Sequence, residues 1–346
     1  MVKMKDVAQR AGVSIATVSN VITGKRTVSP EVQKAVLQAI SDLDYHVNMV
    51  ARGLKTQRTN TIGVVLPDVT KLFFNDVLKG VMTAAAEHGY SINILSSGYD
   101  FALEKKLIAT LRGNHVDAII LDSCVDFQQA ESWGRELVAG GKDIPLVSLE
   151  NKLSDGVSSI CVDCFRWSSQ ITKHLIDQGR KKIFYISGPL SLRHEQDRLE
   201  GYKKGLRDHG IEVKEDLIVT QDFQSGSAYH AVKQVLEQGV DFDAIQASND
   251  QAAIGAIKAL MECGIQVPEK VAVTGFDNLF PSSLIDPAIT TVHVRRYTMG
   301  YNAVLECIRR INDPEAKPAH EVLESRMMIR GSSSPQAKSE WDLDNW

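Results

Sequence analysis

Residues 4–22, Met-Lys-Asp-Val-Ala-Gln-Arg-Ala-Gly-Val-Ser-Ile-Ala-Thr-Val-Ser-Asn-Val-Ile, constrain this chain more than any other stretch. Val7, Ala8 and Ala11 give a short helix one apolar face. Gly12 ends it, because glycine enters the left-handed conformation of a helix terminus without a Cβ clash. Val13 plugs the turn, and Ser14 is an N-cap residue for a second helix. Val18, Val21 and Ile22 share a face of that helix and can pack back onto the first. Ile15, Ala16, Thr17, Ser19 and Asn20 are left toward the exposed side. Two helices joined this way form a helix-turn-helix, whose second helix fits the major groove of DNA.

Ser29-Pro30-Glu31 then opens a third helix as N-cap, first-turn proline and first-turn acid. Its apolar stripe is Val32, Val36, Leu37, Ile40 and Leu43. Asp-Val-Ala, Ala-Gly-Val-Ser, Thr-Val-Ser, this third helix and Val50-Ala51-Arg52-Gly53-Leu54-Lys55 before a strand closely resemble the start of the LacI/GalR family of bacterial repressors. The resemblance implies a DNA-binding headpiece over 1–47 and a hinge helix or linker over 48–60. A helix that short is marginal alone, so it is expected to order only against a partner. In the family that partner is operator DNA, where the hinge inserts an apolar wedge into the minor groove, here Leu54 with Lys55 beside it. Base contacts are expected from Ile15 and Ala16, which can lie on thymine methyls, and from Asn20, which matches an adenine edge. Ser14, Thr17 and Ser19 are expected on phosphates. A homodimer on a near-palindrome follows, because two headpieces bring both wedges together.

The total charge of −4 argues against a nucleic-acid binder until it is divided. Residues 1–60 hold nine Lys and Arg against four Asp and Glu, a net +5, which leaves −9 for the remainder. A basic headpiece on an acidic body confines phosphate attraction to the helices that read DNA. With no apolar run near membrane-span length and no apolar signal core, the expected location is cytoplasmic. The five scattered cysteines fit that compartment. Cys161-Val-Asp-Cys164 lacks a second pair to complete a zinc site, and its structural reading outweighs a redox dithiol.

From Thr61 the chain alternates strands with amphipathic helices, which implies parallel sheets covered on both faces. Ten or so strands are many for one sheet, so two in tandem are expected. The resemblance implies a periplasmic-binding-protein-like core of two doubly wound parallel-sheet lobes over 61–331, serving effector binding and dimerisation. Lobe 1 covers about 61–162 and 292–325, and lobe 2 about 163–291 and 326–331, with crossings near 162, 291 and 325. Residues 332–346 read as a disordered tail in which Trp341 and Trp346 have no evident role.

Ligands of such sheets bind outside the carboxyl ends of the strands. Asp68, Phe73, Phe74, Glu150, Asn151, Asp163, Arg198, Phe223, Asn249 and Asp277 fall near those ends. Carboxylates and amides suit paired hydroxyls, an Arg fork bridges neighbouring oxygens, and an aromatic face covers an apolar ring face. That chemistry favours a sugar or sugar phosphate over a nucleobase. The resemblance carries effector contact onto Arg198, Asn249, Asp277 and Phe223, with Glu150 and Phe74 following less directly and Asp68 completing the set. Asp277 and Asn249 can equally cap helices, and Asp163 fits the crossing better than the ligand. Where the family often has Gln after Thr290-Thr-Val-His, this chain has Val294-Arg295-Arg296-Tyr297, a source of positive charge for an anionic effector. Arg198 looks free of structural duty. No cofactor or metal is expected. The alternative is a cytosolic α/β enzyme acting on a sugar or sugar phosphate, but no phosphate-loop, dinucleotide or nucleophile-elbow motif occurs. His115, His174, His194, His209 and His230 read as isolated surface or core residues. A solute-binding transport protein is a third reading, which the headpiece disfavours.

Overall fold

The structure is a computed structural model that describes residues 2–23, 27–45, 58–140 and 144–337. Leu54, Lys55, most of the expected hinge, Trp341 and Trp346 lie outside the described residues. The chain forms two compact units, Met1–Thr59 and Asn60–Trp346.

In the first unit, α1 (Met4–Ala11) ends at Gly12, which takes φ +66° and lets Val13 N donate to Ala8 O at 3.0 Å. Ser14 Oγ caps α2 (Ile15–Thr23) by accepting from Thr17 N at 3.0 Å. Ser29 Oγ caps α3 (Pro30–Asp42) by accepting from Val32 N at 3.4 Å. Val7, Ala8, Val18, Val36, Ala39 and Tyr45 are buried together, with Val13, Val21 and Ile22 packed against them. The Arg10–Asp42 pair at 2.8 Å ties α1 to α3, but its exposure limits what it adds to stability.

In the second unit, strands β1 (Thr61–Leu66), β2 (Ser91–Ser96), β3 (Ala118–Leu121), β4 (Leu146–Leu149) and β5 (Ser158–Val162) form one parallel sheet. Helices α4 (Leu72–Glu87), α5 (Phe101–Gly113) and α6 (Ala130–Ala139) connect them. After α7 (Cys164–Asp177) a second parallel sheet begins with β6 (Ile183–Ser187), continues with β7 (Ile218–Thr220) and β8 (Ala244–Ala247), and ends with β9 (Ala272–Thr274). Its crossovers are α8 (Arg193–Asp208), α9 (Ser225–Glu237) and α10 (Asp250–Glu262). A short α11 (Pro281–Leu284) follows, and β10 (Thr291–His293) then leads into α12 (Arg296–Asn312). β11 (His320–Leu323) adds to the first sheet beside β5, and β12 (Arg326–Met328) pairs antiparallel with β10. The strand orders are β11-β5-β4-β3-β1-β2 and β7-β6-β8-β9. The central strands β3, β4, β6 and β8 are buried throughout, as parallel strands covered on both faces must be.

One detail differs from the sequence reading: residues 332 and 333, expected in a disordered tail, are buried against the second sheet. Val273 N donates to Ser332 O at 2.8 Å, and Ser333 Oγ lies 2.6 Å from Thr290 Oγ1 and 2.8 Å from His174 Nε2. The segment supplies polar groups that the buried edge of β9 needs, which the serine-rich composition conceals. Cys161 and Cys164 are free thiols whose pKa burial pushes up to about 12, so neither is a reactive thiolate at neutral pH.

Helices α4 and α12 approach until backbones touch. A Cβ at Gly80 would lie 2.1 Å from Tyr297 O, and one at Gly300 only 1.9 Å from Val77 O. Gly300→Ala is therefore expected to lower unfolding free energy by about 1–3 kcal/mol. Gly226→Ala, in α9 with no atom within 4 Å of the added carbon, is expected to be neutral or to stabilise by up to about 1 kcal/mol. Urea midpoints of the two variants, read against the parent, check the opposite signs.

Candidate functional site

The first candidate surface is α2. Its cap fixes the first turn, and its buried Val18 fixes which face turns inward. Ser14, Ile15 and Ala16 are exposed, while Thr17, Ser19 and Asn20 are half-buried. Ser14 Oγ is also 2.9 Å from Thr17 Oγ1, so these two hydroxyls are partly engaged within the helix start. Ile15 is 53% exposed, a large aliphatic side chain that its own unit does not cover.

The second is a cleft of about 570 Å³, open mouth included, at the carboxyl ends of both sheets. From the first sheet it takes Tyr99 beyond β2, Asp122 and Ser123 beyond β3, Glu150 beyond β4, and Phe73 and Phe74 at the start of α4. From the second it takes His194 and Arg198 on α8, Phe223 beyond β7, Asn249 beyond β8 and Asp277 beyond β9. Thus Phe74, Glu150, Arg198, Phe223, Asn249 and Asp277 come together from among the expected residues. Asp68 is not among the lining residues; its Oδ1 accepts from Thr70 N and Oγ1 at 2.9 and 2.7 Å. Asp163 Oδ1 caps α7 by accepting from Arg166 N at 2.9 Å.

Arg198 corrects the expectation that it has no structural duty. It is 4% exposed, with Nη1 donating to Glu195 Oε1 at 2.8 Å and Ser248 O at 2.9 Å. Nη2 reaches Asp277 Oδ1 at 3.4 Å, and the guanidinium lies 4.2 Å from the centre of the Phe276 ring. Glu195, fully buried, also accepts from Gly188 N at 2.7 Å. Burial pushes the pKa values of Glu195 and Asp277 up, and Arg198 pulls both back down. Asn249 is a cap as well as a lining residue: Oδ1 accepts from Ala252 N at 2.7 Å, while Nδ2 donates to Phe223 O at 3.3 Å.

The positive charge expected from 295–296 does not reach this cleft. Arg296 is held by Asp76 Oδ2 at 2.6 and 3.1 Å and donates to the carbonyls of Asp277 and Asn278. Its guanidinium joins α12 and α4 to the loop after β9 instead of facing a ligand.

Tyr99, Glu150, Phe223 and Asp277 all have positive φ, at 62°, 58°, 69° and 99°. Side chains are disfavoured there, so the surroundings must hold the lining in place before a ligand arrives. A Cβ at Gly188 would sit 2.2 Å from the Phe223 ring, so that glycine leaves room for the aromatic. Sequence reasoning missed Tyr99, Asp122 and Ser123, although the same strand-end rule locates them. It also set aside His194, which is buried, lines the cleft and stacks near Phe223 at 6.2 Å. No helix among the described residues is long and apolar enough to cross a membrane.

Removing Arg198 leaves two buried carboxylates without their cation. Arg198→Ala is expected to cost about 3–5 kcal/mol of stability, and adding Glu195→Gln to restore part of it. Equal losses in the single and double variants, by urea unfolding, would show that the pair is not energetically coupled.

Comparison with known proteins follows the same division. Residues 3–48 match the family model described as bacterial regulatory proteins, lacI family. Residues 59–329 match the model described as periplasmic binding proteins and sugar binding domain of LacI family. The chain is 34% identical to the HTH-type transcriptional regulator RegA of Clostridium saccharobutylicum, across 95% of this chain and 98% of that protein. It is 32% identical to the ribose operon repressor of Escherichia coli K12, across 96% and 100%. A Lac repressor dimer solved with operator and the anti-inducer ONPF superposes with a TM-score of 0.87 at 25% identity, covering 96% of this chain and 99% of that one.

Proposed function

The chain belongs to the LacI family of bacterial regulatory proteins, and on that premise we propose how its parts divide the work of a ligand-responsive, DNA-binding transcriptional repressor. Residues 1–47 read a near-palindromic operator as one half of a homodimer, and residues 48–60 are the hinge. Residues 61–331 bind the effector and dimerise, with lobe 1 at about 61–162 and 292–325 and lobe 2 at about 163–291 and 326–331.

The observation that carries the DNA reading is the face of α2. Ile15, left 53% exposed beside Ala16, gains a partner when it meets thymine methyls in the major groove. Asn20 on the same helix supplies the amide pair that matches an adenine edge. Ser14, Thr17 and Ser19 set the docking on phosphates, Leu54 is the minor-groove wedge, and Lys55 adds a phosphate contact. The acidic remainder of the chain keeps DNA to this face.

The effector is a small sugar-type molecule. The cleft supports this through aromatic faces at Phe74, Phe223 and Tyr99 next to acceptors at Asp122, Glu150 and Asp277. That is the pairing of flat apolar surface with hydroxyl-binding groups that a sugar ring requires. Asp68, off the lining, has no part in it as placed. A ligand bridging both sheets favours the closed arrangement of the lobes. Closure is transmitted through the hinge segments to the operator with a coupling of about 1–3 kcal/mol.

Asn20→Ala is expected to weaken binding to a selected near-palindrome by about 10–100-fold and to relax preference at one base pair per half-site. Leu54→Ala is expected to weaken that specific binding far more than binding to random duplex. Gel-shift titrations on both DNAs at fixed salt check this; equal losses on both from Leu54→Ala would remove the wedge.

A further inference from the structure

Taking the cleft as the effector site, its two walls differ in charge. On the second sheet's wall Glu195 and Asp277 share Arg198, at 2.8 and 3.4 Å. On the first sheet's wall Asp122 and Glu150 form no ion pair among the described residues, although the field of Arg198 reaches Glu150. The other cation of the lining, Lys71, is 8% exposed at the start of α4, and its charge acts on Asp68 and Asp222. The Asp122 residue is only 3% exposed, and its carboxylate has no hydrogen-bond partner among the described residues.

Donors are scarce as well. Asn249 spends both ends of its amide on the backbone. His194 is 8% exposed, its Nε2 faces Glu195 Oε1 at 3.9 Å, and its Nδ1 is buried without a partner. Burial and Arg198 push its pKa down to about 3, so the ring is neutral. With the proton on Nε2, next to the carboxylate, Nδ1 is a bare acceptor. At the Asp122 end the lining therefore offers the hydroxyl of Tyr99 as a donor but, among the described residues, no cation paired with Asp122 or Glu150, beside the ring surface of Tyr99, Phe73 and Phe74.

We propose that the first sheet's wall is an amine subsite, and that the effector is an amino-bearing sugar or polyol whose ammonium lies between Asp122 and Glu150. This rests on the effector reading above. An ammonium brings three donors and the missing charge, and the aromatic faces suit it. A phosphorylated sugar brings acceptors and negative charge to a wall with an excess of both.

Burial pushes Glu150 up to about 7, with Asp277 and Glu195 adding to the shift and Arg198 opposing it. Burial also raises Asp122, with Glu150 and Glu104 adding. An ammonium favours the ionised carboxylates and lowers both values. Below about pH 7 binding thus releases protons, and affinity rises with pH until the free site is ionised, then falls as the free amine loses its own proton.

The test is a thermal-shift and calorimetric panel on the full chain. Its arms are D-glucosamine, D-galactosamine and D-mannosamine, their parent hexoses, and the corresponding 6-phosphates. The expected result is a shift with an amine at least about ten-fold tighter than its parent, with no response to the phosphate. Proton release at pH 6, read from calorimetry in two buffers of different ionisation enthalpy, is expected to shrink as pH rises and to turn to uptake near pH 8, where the free amine begins to lose its own proton. Glu150→Gln should bring the amine-to-parent affinity ratio, measured within the variant, down to about two-fold or less. A shift with parent hexoses or phosphates alone overturns the amine subsite and leaves the sugar-type effector standing. No shift in any arm overturns both. Proton uptake on amine binding at pH 6, where the free amine is already an ammonium, overturns the subsite whatever the variant does.

Discussion

Arg198 holds the second half of the cleft together. One guanidinium gathers the loop after β8 through Ser248 O, the loop after β9 through Asp277, and the turn after β6 through Glu195, which itself holds Gly188 N. Taking an ion out of water costs several kcal/mol, and only near-complete hydrogen bonding offsets that cost. The arrangement therefore adds little to net stability while allowing few alternatives. Three strand ends must sit where one rigid fork can reach them all.

Asp277 shows how that rigidity extends across the body. Its carboxylate faces Arg198 and the cleft, while its backbone carbonyl accepts from Arg296 at the start of α12. Arg296 is in turn clamped to Asp76 on α4, and α4 and α12 are locked by the glycine contacts at Gly80 and Gly300. A displacement of Asp277 is thus felt at Arg198 on α8, Arg296 on α12 and, through it, Asp76 on α4. Positive φ at Asp277 and Asn278 is part of this construction, because it turns two successive carbonyls toward the same guanidinium.

Much of this was legible in the sequence. The headpiece was, because Gly12, Ser14, Ser29 and Pro30 are local signals whose consequences fall within a few residues. The alternating strands and helices were also legible, since fully buried parallel strands are continuous apolar runs. The late elements were not. β10, β11 and β12 span three or four residues each, and β11 is exposed at three of its four positions, so no alternation marks it. The helix that buries Met299, Ala303, Val304, Cys307 and Ile311 was not among the elements expected, and nothing local says that it returns to the first sheet. The cleft was half legible. Strand-end position finds Glu150, Asn249 and Asp277, but whether a polar side chain is already occupied, as Arg198, Arg296 and Asn249 are, depends on partners distant in the chain.

The late return of the chain also orders its synthesis. The first sheet lacks its edge strand until His320–Leu323 has emerged, and the second lacks part of its cover until Ser332 and Ser333 can reach Val273 and Thr290. The core of the three headpiece helices is built from residues between Met4 and Tyr45. On the ribosome every residue of the headpiece core has thus emerged long before the sensor's two sheets can be completed, and a prematurely terminated product would carry that core with no means of regulating it.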